Sequence, residues 1–218
     1  MLTRDLFDSG SYVDLLAGTA DQPAWTMEAI EQSMRDTLSG RVSGEAVWLF
    51  AYGSLMWNPV IDAEEQQLAT LGGWHRSFCL RLSAGRATPA VPGRMLALRE
   101  GEECRGLAFR LAEDTLLDEL RLVWIREMVH GLYRPVWAQA RLADGRRVSV
   151  IAFVAETTHP QYRATDELNA VAADVAMASG PLGSNREYLT RLDDALARWG
   201  IHDPHVSDLV QRVKVRVW

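Results

Sequence analysis

Cysteine is scarce in this sequence and long apolar runs are absent, which excludes two classes of protein. The chain has 2 cysteines in 218 residues. Cys79 and Cys104 lie far apart and lack the C-x-x-C spacing of a redox or zinc motif, so we expect two buried thiols in a reducing compartment. No apolar run reaches the ~18 residues of a membrane span. The first residues carry Asp5 and Asp8 and no apolar core of a signal peptide. The sequence therefore predicts a cytoplasmic protein without a membrane partner.

Basic clusters are missing as well. The formal net charge is -6 at pH 7, and no block of Lys and Arg offsets it, which argues against a nucleic-acid partner. The glycine-rich phosphate-binding motifs of P-loop and dinucleotide-binding proteins do not occur. Ser54 lies outside any G-x-S-x-G elbow, so we do not expect it to be a nucleophile. What remains is a globular chain, 48% hydrophobic and 24% charged, whose length fits one domain.

The stretch at residues 47–59, VWLFAYGSLMWNP, is the most distinctive feature that is present. Its first five residues are apolar and rich in branched and aromatic side chains, which predicts a strand buried on both faces. Gly53 then allows a sharp bend and lets a ligand approach the backbone, and amides after such a bend can form an anion-binding concavity. Two interpretations stay open, a loop that holds a substrate and an ordinary connection after a strand.

Short strand-like segments separated by turns predict a closed or strongly curved sheet in an α+β fold. Asp144-Gly145 is the strongest hairpin signal, because an alternating segment flanks it on each side. Residues 1–45 are predicted to form an N-terminal helical extension, with Thr26 as a helix cap, and residues 46–218 the main domain. The later strand candidates are 75–83, 94–98, 105–111, 135–142, 147–155 and 213–217. The later helix candidates are 114–129, 165–178 and 185–199.

An acidic residue lies on the apolar face of the first of these later helices. At 100° per residue, Glu127 falls in the middle of a stripe formed by Leu116, Leu117, Leu120, Val123, Trp124 and Met128. Asp118, Glu119, Arg121 and Arg126 fall on the flanks or the polar side. A carboxylate that loses its hydration has a raised pKa, which suits a proton shuttle. The alternative is that the helix ends near Glu127 and its side chain reaches water or Arg134.

Four parts of the sequence are similar to the ChaC-type gamma-glutamylcyclotransferases, a family that acts on glutathione. They are FAYGSLMWNP at 50–59, GWHRSFCLRLSAGR with TPAVPGR at 73–94, REMVHGLYRP at 126–135, and AFVAETTHPQY with SGPLGSNREYL at 152–162 and 179–189. YGSL alone would be a weak signal, whereas all four in this order and spacing are specific. The similarity runs from about Phe50 to beyond Trp199 and leaves residues 1–45 without an assigned role.

The resemblance implies a small mixed β-barrel flanked by helices and a reaction that needs no cofactor or metal. The γ-glutamyl α-amine attacks its own side-chain amide, which closes the 5-oxoproline ring and releases cysteinylglycine. By analogy the catalytic acid is Glu127, the residue that helical spacing also singled out. Gly53, Ser54 and Leu55 would grip the glutamyl group or the developing oxyanion. Three tyrosines match family positions near the site, Tyr52, Tyr133 and Tyr188, and Arg86 is assigned to the glycine carboxylate of the substrate.

Two other functions remain compatible with the sequence. One is a cyclotransferase for other γ-glutamyl amines or dipeptides, and the other is a non-catalytic γ-glutamyl-binding module with a regulatory role. The presence of both Glu127 and an intact YGSL loop argues against the second. The sequence does not define an oligomeric state.

Overall fold

The centre of the fold is a closed barrel of five strands with helices packed around it. The structure, a computed structural model, describes residues 3–15, 17–20, 22–164 and 167–215. The barrel strands are β1 Trp48–Ala51, β2 Glu65–Leu82, β3 Gly93–Arg110, β4 Tyr133–Leu142 and β5 Arg147–Ala155. The helices are α1 Arg4–Asp8, α2 Tyr12–Leu15, α3 Met27–Ser39, α4 Leu116–Met128, α5 Leu168–Met177, α6 Asn185–Arg198 and α7 Pro204–Val215. A 3₁₀ helix, Ser54–Met56, follows β1, and a small two-stranded sheet joins β6 Ser179–Gly180 to β7 Gly183–Ser184.

The barrel closes because β1 joins the two ends of the sheet. β1 runs antiparallel to β3 and parallel to β5, with Trp48 opposite Val150. β2 pairs antiparallel with β3 and β4, and β4 pairs antiparallel with β5. The sheet is thus mixed, which confirms the predicted α+β fold with a small mixed barrel. The β4–β5 hairpin turns at Gly145, whose φ of 91° is one that glycine adopts readily.

β2 and β3 are much longer than the sequence predicted, at 18 residues each. The two strand candidates at 94–98 and 105–111 belong to one strand, which runs through Gly101. A Cβ at Gly101 would lie 2.1 Å from the His75 ring, so this glycine provides room for a cross-strand side chain. Exposed residues lie in the middle of both strands, at 72–73 in β2 and at 100–103 in β3, and these stretches therefore lack the alternation that marks a half-buried strand.

The predicted helices are confirmed, with ends that shift by up to a few residues. Thr26 caps α3, since its side chain accepts a hydrogen bond from the Ala29 amide, and Ser184 caps α6 in the same way. The start of the candidate at 165 lies outside the described residues. The terminal strand at 213–217 is wrong, because its described part, 213–215, belongs to α7. The buried residues of α7 recur at helical spacing, at Val206, Leu209, Val210 and Val213.

The N-terminal helices share the core of the barrel domain. Phe7, Ile30 and Met34 are buried in the same apolar cluster as the barrel strands. The Trp124 indole of α4 donates to the Ser33 hydroxyl of α3. Both cysteines are buried thiols, as predicted. Among the described residues, no helix is long and apolar enough to cross a membrane.

Candidate active site

A cavity of about 160 Å³ lies at the end of β1, and every residue predicted for the site lines it. These residues are Tyr52, Gly53, Ser54, Leu55, Arg86, Glu127, Tyr133 and Tyr188. They come from the turn after β1, the β2–β3 connection, α4, β4 and α6. The fold therefore brings together side chains that are far apart in the sequence.

The turn after β1 is closed on itself and rests against Tyr188. The Met56 amide donates to the Gly53 carbonyl at 2.9 Å, and the Asn58 amide donates to the Ser54 carbonyl at 3.0 Å. The Ser54 amide donates to the Tyr188 hydroxyl. A Cβ at Gly53 would lie only 3.0 Å from that hydroxyl. The glycine thus permits close approach of a protein group, in addition to the ligand for which the sequence suggested it.

Glu127 enters the cavity from the last turn of α4, where the helical spacing placed it. Its side chain is 14% exposed and pairs with Arg126, with Nε and Oε1 3.2 Å apart. Burial raises the pKa of this carboxyl above its usual value, and the positive charge of Arg126 lowers it in part. A carboxyl with a raised pKa gives up and takes back a proton near neutral pH more readily than a solvated one.

Arg126 lies at the site, although helical spacing did not predict it there. It was placed on the flanks or the polar side of α4, but its side chain is only 6% exposed. One guanidinium nitrogen donates to the Ser54 hydroxyl at 2.6 Å, and another donates to the Asn58 carbonyl. The same side chain therefore links the turn after β1 to the carboxyl of Glu127. It lies next to Glu127 in the sequence, and that adjacency was the available signal.

Two further placements on α4 were wrong. Glu119 is buried because both its oxygens accept hydrogen bonds from Arg4, and one also accepts from the Asp62 amide. Leu117, assigned to the apolar stripe, is 60% exposed. Both errors arise because partners from distant segments decide which flank of a helix is covered.

Two of the three tyrosines are fixed by backbone carbonyls. The Tyr52 hydroxyl donates to the Phe153 carbonyl at 2.7 Å, and the Tyr133 hydroxyl donates to the Leu96 carbonyl at 2.9 Å. Burial raises the pKa of both phenols well above the ordinary value, so they stay neutral. Their protons are committed to these carbonyls, and each oxygen keeps lone pairs that can accept a hydrogen bond.

Arg86 is anchored rather than loose. Its guanidinium donates to the Ser184 carbonyl at 3.0 Å, pairs with Glu187 at 3.4 Å and lies 5.8 Å from the centre of the Tyr188 ring. Its side chain is 12% exposed. The sequence placed it on a flexible loop, but the contacts with the start of α6 hold its charge at the wall of the cavity.

A second buried arginine, Arg76, holds the residue at the start of the turn. It donates to the Tyr52 carbonyl at 2.8 Å and to the Arg105 carbonyl at 2.6 Å, and it pairs with Asp203 at 3.0 Å. Its position in the sequence was a signal, because Arg76 extends the alternation of Phe78 and Leu80 with a charge on the apolar face. Among the described residues, no group of three or more His, Cys, Asp or Glu side chains is placed to hold a metal ion.

Comparison with known proteins assigns the chain to a family. The sequence profile described as ChaC-like protein matches residues 47–216. A glutathione-specific gamma-glutamylcyclotransferase of Escherichia coli strain K12 is 44% identical over 98% of this chain and 93% of its own length. A human protein named glutathione-specific gamma-glutamylcyclotransferase 1 is 29% identical over 78% of this chain and 79% of its own. A crystal structure of a yeast cyclotransferase specific to glutathione shares the fold, with a TM-score of 0.73 at 19% identity over 79% of this chain and 97% of that one. The chain therefore belongs to the ChaC-like protein family.

Proposed function

We propose that the protein is a glutathione-specific gamma-glutamylcyclotransferase that releases 5-oxoproline and cysteinylglycine. The similarity to the Escherichia coli protein of that name over nearly the whole chain supports this substrate. One structural observation carries the chemistry. The buried carboxyl of Glu127, with its raised pKa, shares a single cavity with the turn after β1.

The reaction needs a proton shuttle and a fixed substrate conformation. Glu127 takes a proton from the α-ammonium group, and the free amine attacks the γ-amide carbonyl to form the ring C–N bond. The amide C–N bond then breaks as the leaving nitrogen is protonated. Two protons pass in total from the attacking nitrogen to the leaving nitrogen, so the overall reaction releases none. Because the ring closure is intramolecular, holding the reactive conformer supplies much of the rate.

The groups around Glu127 suit the remaining tasks. We assign the backbone at Gly53, Ser54 and Leu55 to the glutamyl group or the oxyanion that develops on the carbonyl. Tyr52, Tyr133 and Tyr188 would accept hydrogen bonds from the substrate amine or orient it. Arg86, held at the cavity wall by the start of α6, would meet the glycine carboxylate. No step in this scheme uses a cofactor.

The direct test is product analysis after incubation with glutathione and no added metal. We expect 5-oxoproline and cysteinylglycine in equal amounts. A panel of other γ-glutamyl dipeptides and amines, run at the same concentration, decides between a glutathione enzyme and a broader cyclotransferase. Binding without turnover of any γ-glutamyl compound would instead identify a regulatory module.

Replacing Ser54 with alanine separates a nucleophilic serine from a structural one. We expect kcat/KM for glutathione to fall by no more than about tenfold, because the change removes one hydrogen bond from Arg126 and no reacting group. Steady-state kinetics of the purified variant measure this. A loss of about 10³-fold, the size expected when a general acid or base is removed, would mean that the hydroxyl takes part in the chemistry.

We also propose the division that the sequence suggested, an extension at 1–45 and a domain at 46–218, acting in the cytoplasm. The start of the family match at residue 47 supports this boundary. Phe7, Ile30 and Met34 attach the extension to the core of the domain, so we do not treat it as an independent unit.

A further inference from the structure

We infer that the N-terminal extension completes the substrate pocket, and that the Gln22 side-chain amide donates a hydrogen bond to an oxygen of the leaving dipeptide. This inference rests on the proposed function, since it assigns the binding site for one half of glutathione. Gln22 lies outside the matched residues 47–216, and no role follows for it from the family profile. It lines the same cavity as Glu127 and is completely buried.

A short segment of the extension, residues 17–20 and 22–25, crosses the cavity wall; we call it the strap. Thr19 and Gln22 exchange backbone hydrogen bonds within it. At one side the Thr19 hydroxyl lies 3.2 Å from the Ser83 hydroxyl, just after β2. At the other side the Trp25 amide donates to the carbonyl of Val129, just after α4. The strap thus joins the two elements that carry Arg86 and Glu127 into the cavity.

The orientation of the Gln22 side chain is set by Ser83. Oε1 of Gln22 accepts a hydrogen bond from the Ser83 amide at 3.0 Å. The other branch of the same carboxamide, Nε2, is buried and has no hydrogen-bond partner within the described part of the chain. Unpaired buried donors are costly and rare in native proteins, and at a cavity wall they mark a place where a ligand supplies the acceptor.

A second unpaired atom lies on the same wall. His130 lines the cavity, and its ring donates to the carbonyl of Pro23, the residue after Gln22. Its Nδ1 is buried and, among the described residues, has no partner. A neutral imidazole that donates through one nitrogen offers an acceptor at the other. The strap side of the cavity therefore presents one donor and one acceptor, which is what a peptide group requires.

The leaving dipeptide is the part of glutathione that contains such a group. The γ-glutamyl half is assigned to Glu127 and the turn at Gly53. Ser83, which holds Gln22, lies three positions before Arg86 in the connection between β2 and β3. Arg86 and Gln22 are thus supported by one segment, on the side assigned to the glycine carboxylate. The acceptor for Nε2 is accordingly the cysteine carbonyl or that carboxylate.

Kinetics of Gln22→Met and Gln22→Glu test the inference. Methionine removes the carboxamide, whereas glutamate keeps an acceptor for the Ser83 amide, removes the donor and adds a negative charge. For Gln22→Met we expect KM for glutathione to rise about tenfold with kcat nearly unchanged, because the hydrogen bond is made equally in the ground and transition states. For Gln22→Glu we expect a larger rise in KM, because the added charge also repels the oxygen that the donor would bind. Inhibition by cysteinylglycine should weaken by the same factor, and inhibition by 5-oxoproline should stay as in the wild type.

Thr19→Val is the matched control, because it removes the hydroxyl contact of the strap with Ser83 and leaves Gln22 in place. It should lower the melting temperature without raising KM. The inference is overturned if the Gln22 variants keep the wild-type KM, or if inhibition by both products weakens together. Wild-type turnover of glutathione, measured in the same assays, reports separately on the proposed function. If the wild type forms no 5-oxoproline, calorimetric binding of glutathione to the wild type and Gln22→Met still shows whether the donor contacts a ligand.

Discussion

Replacing Glu127 with glutamine should reduce kcat for glutathione by about 10³-fold. Glutamine has nearly the same shape but can neither take the proton of the attacking amine nor deliver it to the leaving nitrogen. Single-turnover and steady-state assays of 5-oxoproline formation measure the effect. KM should change little, because the interaction that is lost belongs to the transition state.

The same substitution should leave the fold intact. The folded-state pKa of Glu127 is raised above the unfolded value, so the contribution of this carboxyl to stability is present at low pH and is lost as the pH rises through the folded pKa. At neutral pH the neutral amide avoids that cost, and we expect no fall in the melting temperature of Glu127→Gln. Glu119→Gln is the matched control, because Glu119 is the other buried carboxylate of α4 and pairs with Arg4. It should lower stability and keep kcat, whereas equal loss of activity in both variants would refute the role of Glu127.

Replacing Arg126 with methionine should lower kcat/KM by about 100-fold, since the turn to which we assign the glutamyl group would lose its contacts with α4. A second effect distinguishes a role of Arg126 in tuning Glu127 from a mere loss of order in the turn. The guanidinium lowers the pKa of Glu127, so its removal raises that pKa further, and the acid limb of the kcat/KM profile should move to higher pH. The pH dependence of initial rates measures both effects.

Two other arginine variants complete that experiment. Arg126→Lys keeps the positive charge but not the two-pronged contact with Ser54 and Asn58, so its acid limb should stay close to that of the wild type while kcat/KM falls. Arg121→Met, on the exposed side of α4 where Arg121 pairs with Glu31, should change neither. An unshifted acid limb in Arg126→Met would show that Arg126 does not act through Glu127.

The α+β class and the turn at Gly53 were predicted from local patterns, whereas the mixed barrel, the three tyrosines and Arg86 were assigned through the resemblance to a known family. The position of Glu127 could be predicted from helical spacing alone, since a charge in the middle of an apolar stripe can be recognised without knowledge of tertiary contacts. β1 was predicted within one residue because it is apolar throughout. The Asp144-Gly145 hairpin could be predicted because the preference of these two residues for a tight turn is local.

The parts that the sequence did not predict depend on distant partners. Arg126 is buried because the turn after β1 packs over it. The sequence of α4 alone does not predict that contact. Gln22 acquires its place only when Ser83 and Val129 are brought to the two sides of the strap. The last segment was read as a strand because five alternating residues were considered without the apolar positions at Val206 and Leu209 that precede them.

The parallel pairing of β1 with β5 has a consequence for the order of folding. The Tyr52 hydroxyl binds a carbonyl 101 positions later in the chain, and Trp48 pairs with Val150. Contacts at such separation form only after a large loss of chain entropy has been offset by other structure. A nascent chain that has emerged only through α4 already contains the turn and the carboxyl of Glu127, but not the strand that closes the barrel behind them. The cavity at the end of β1 is consequently a product of late folding, and a chain interrupted before residue 147 lacks the strand beside which β1 lies.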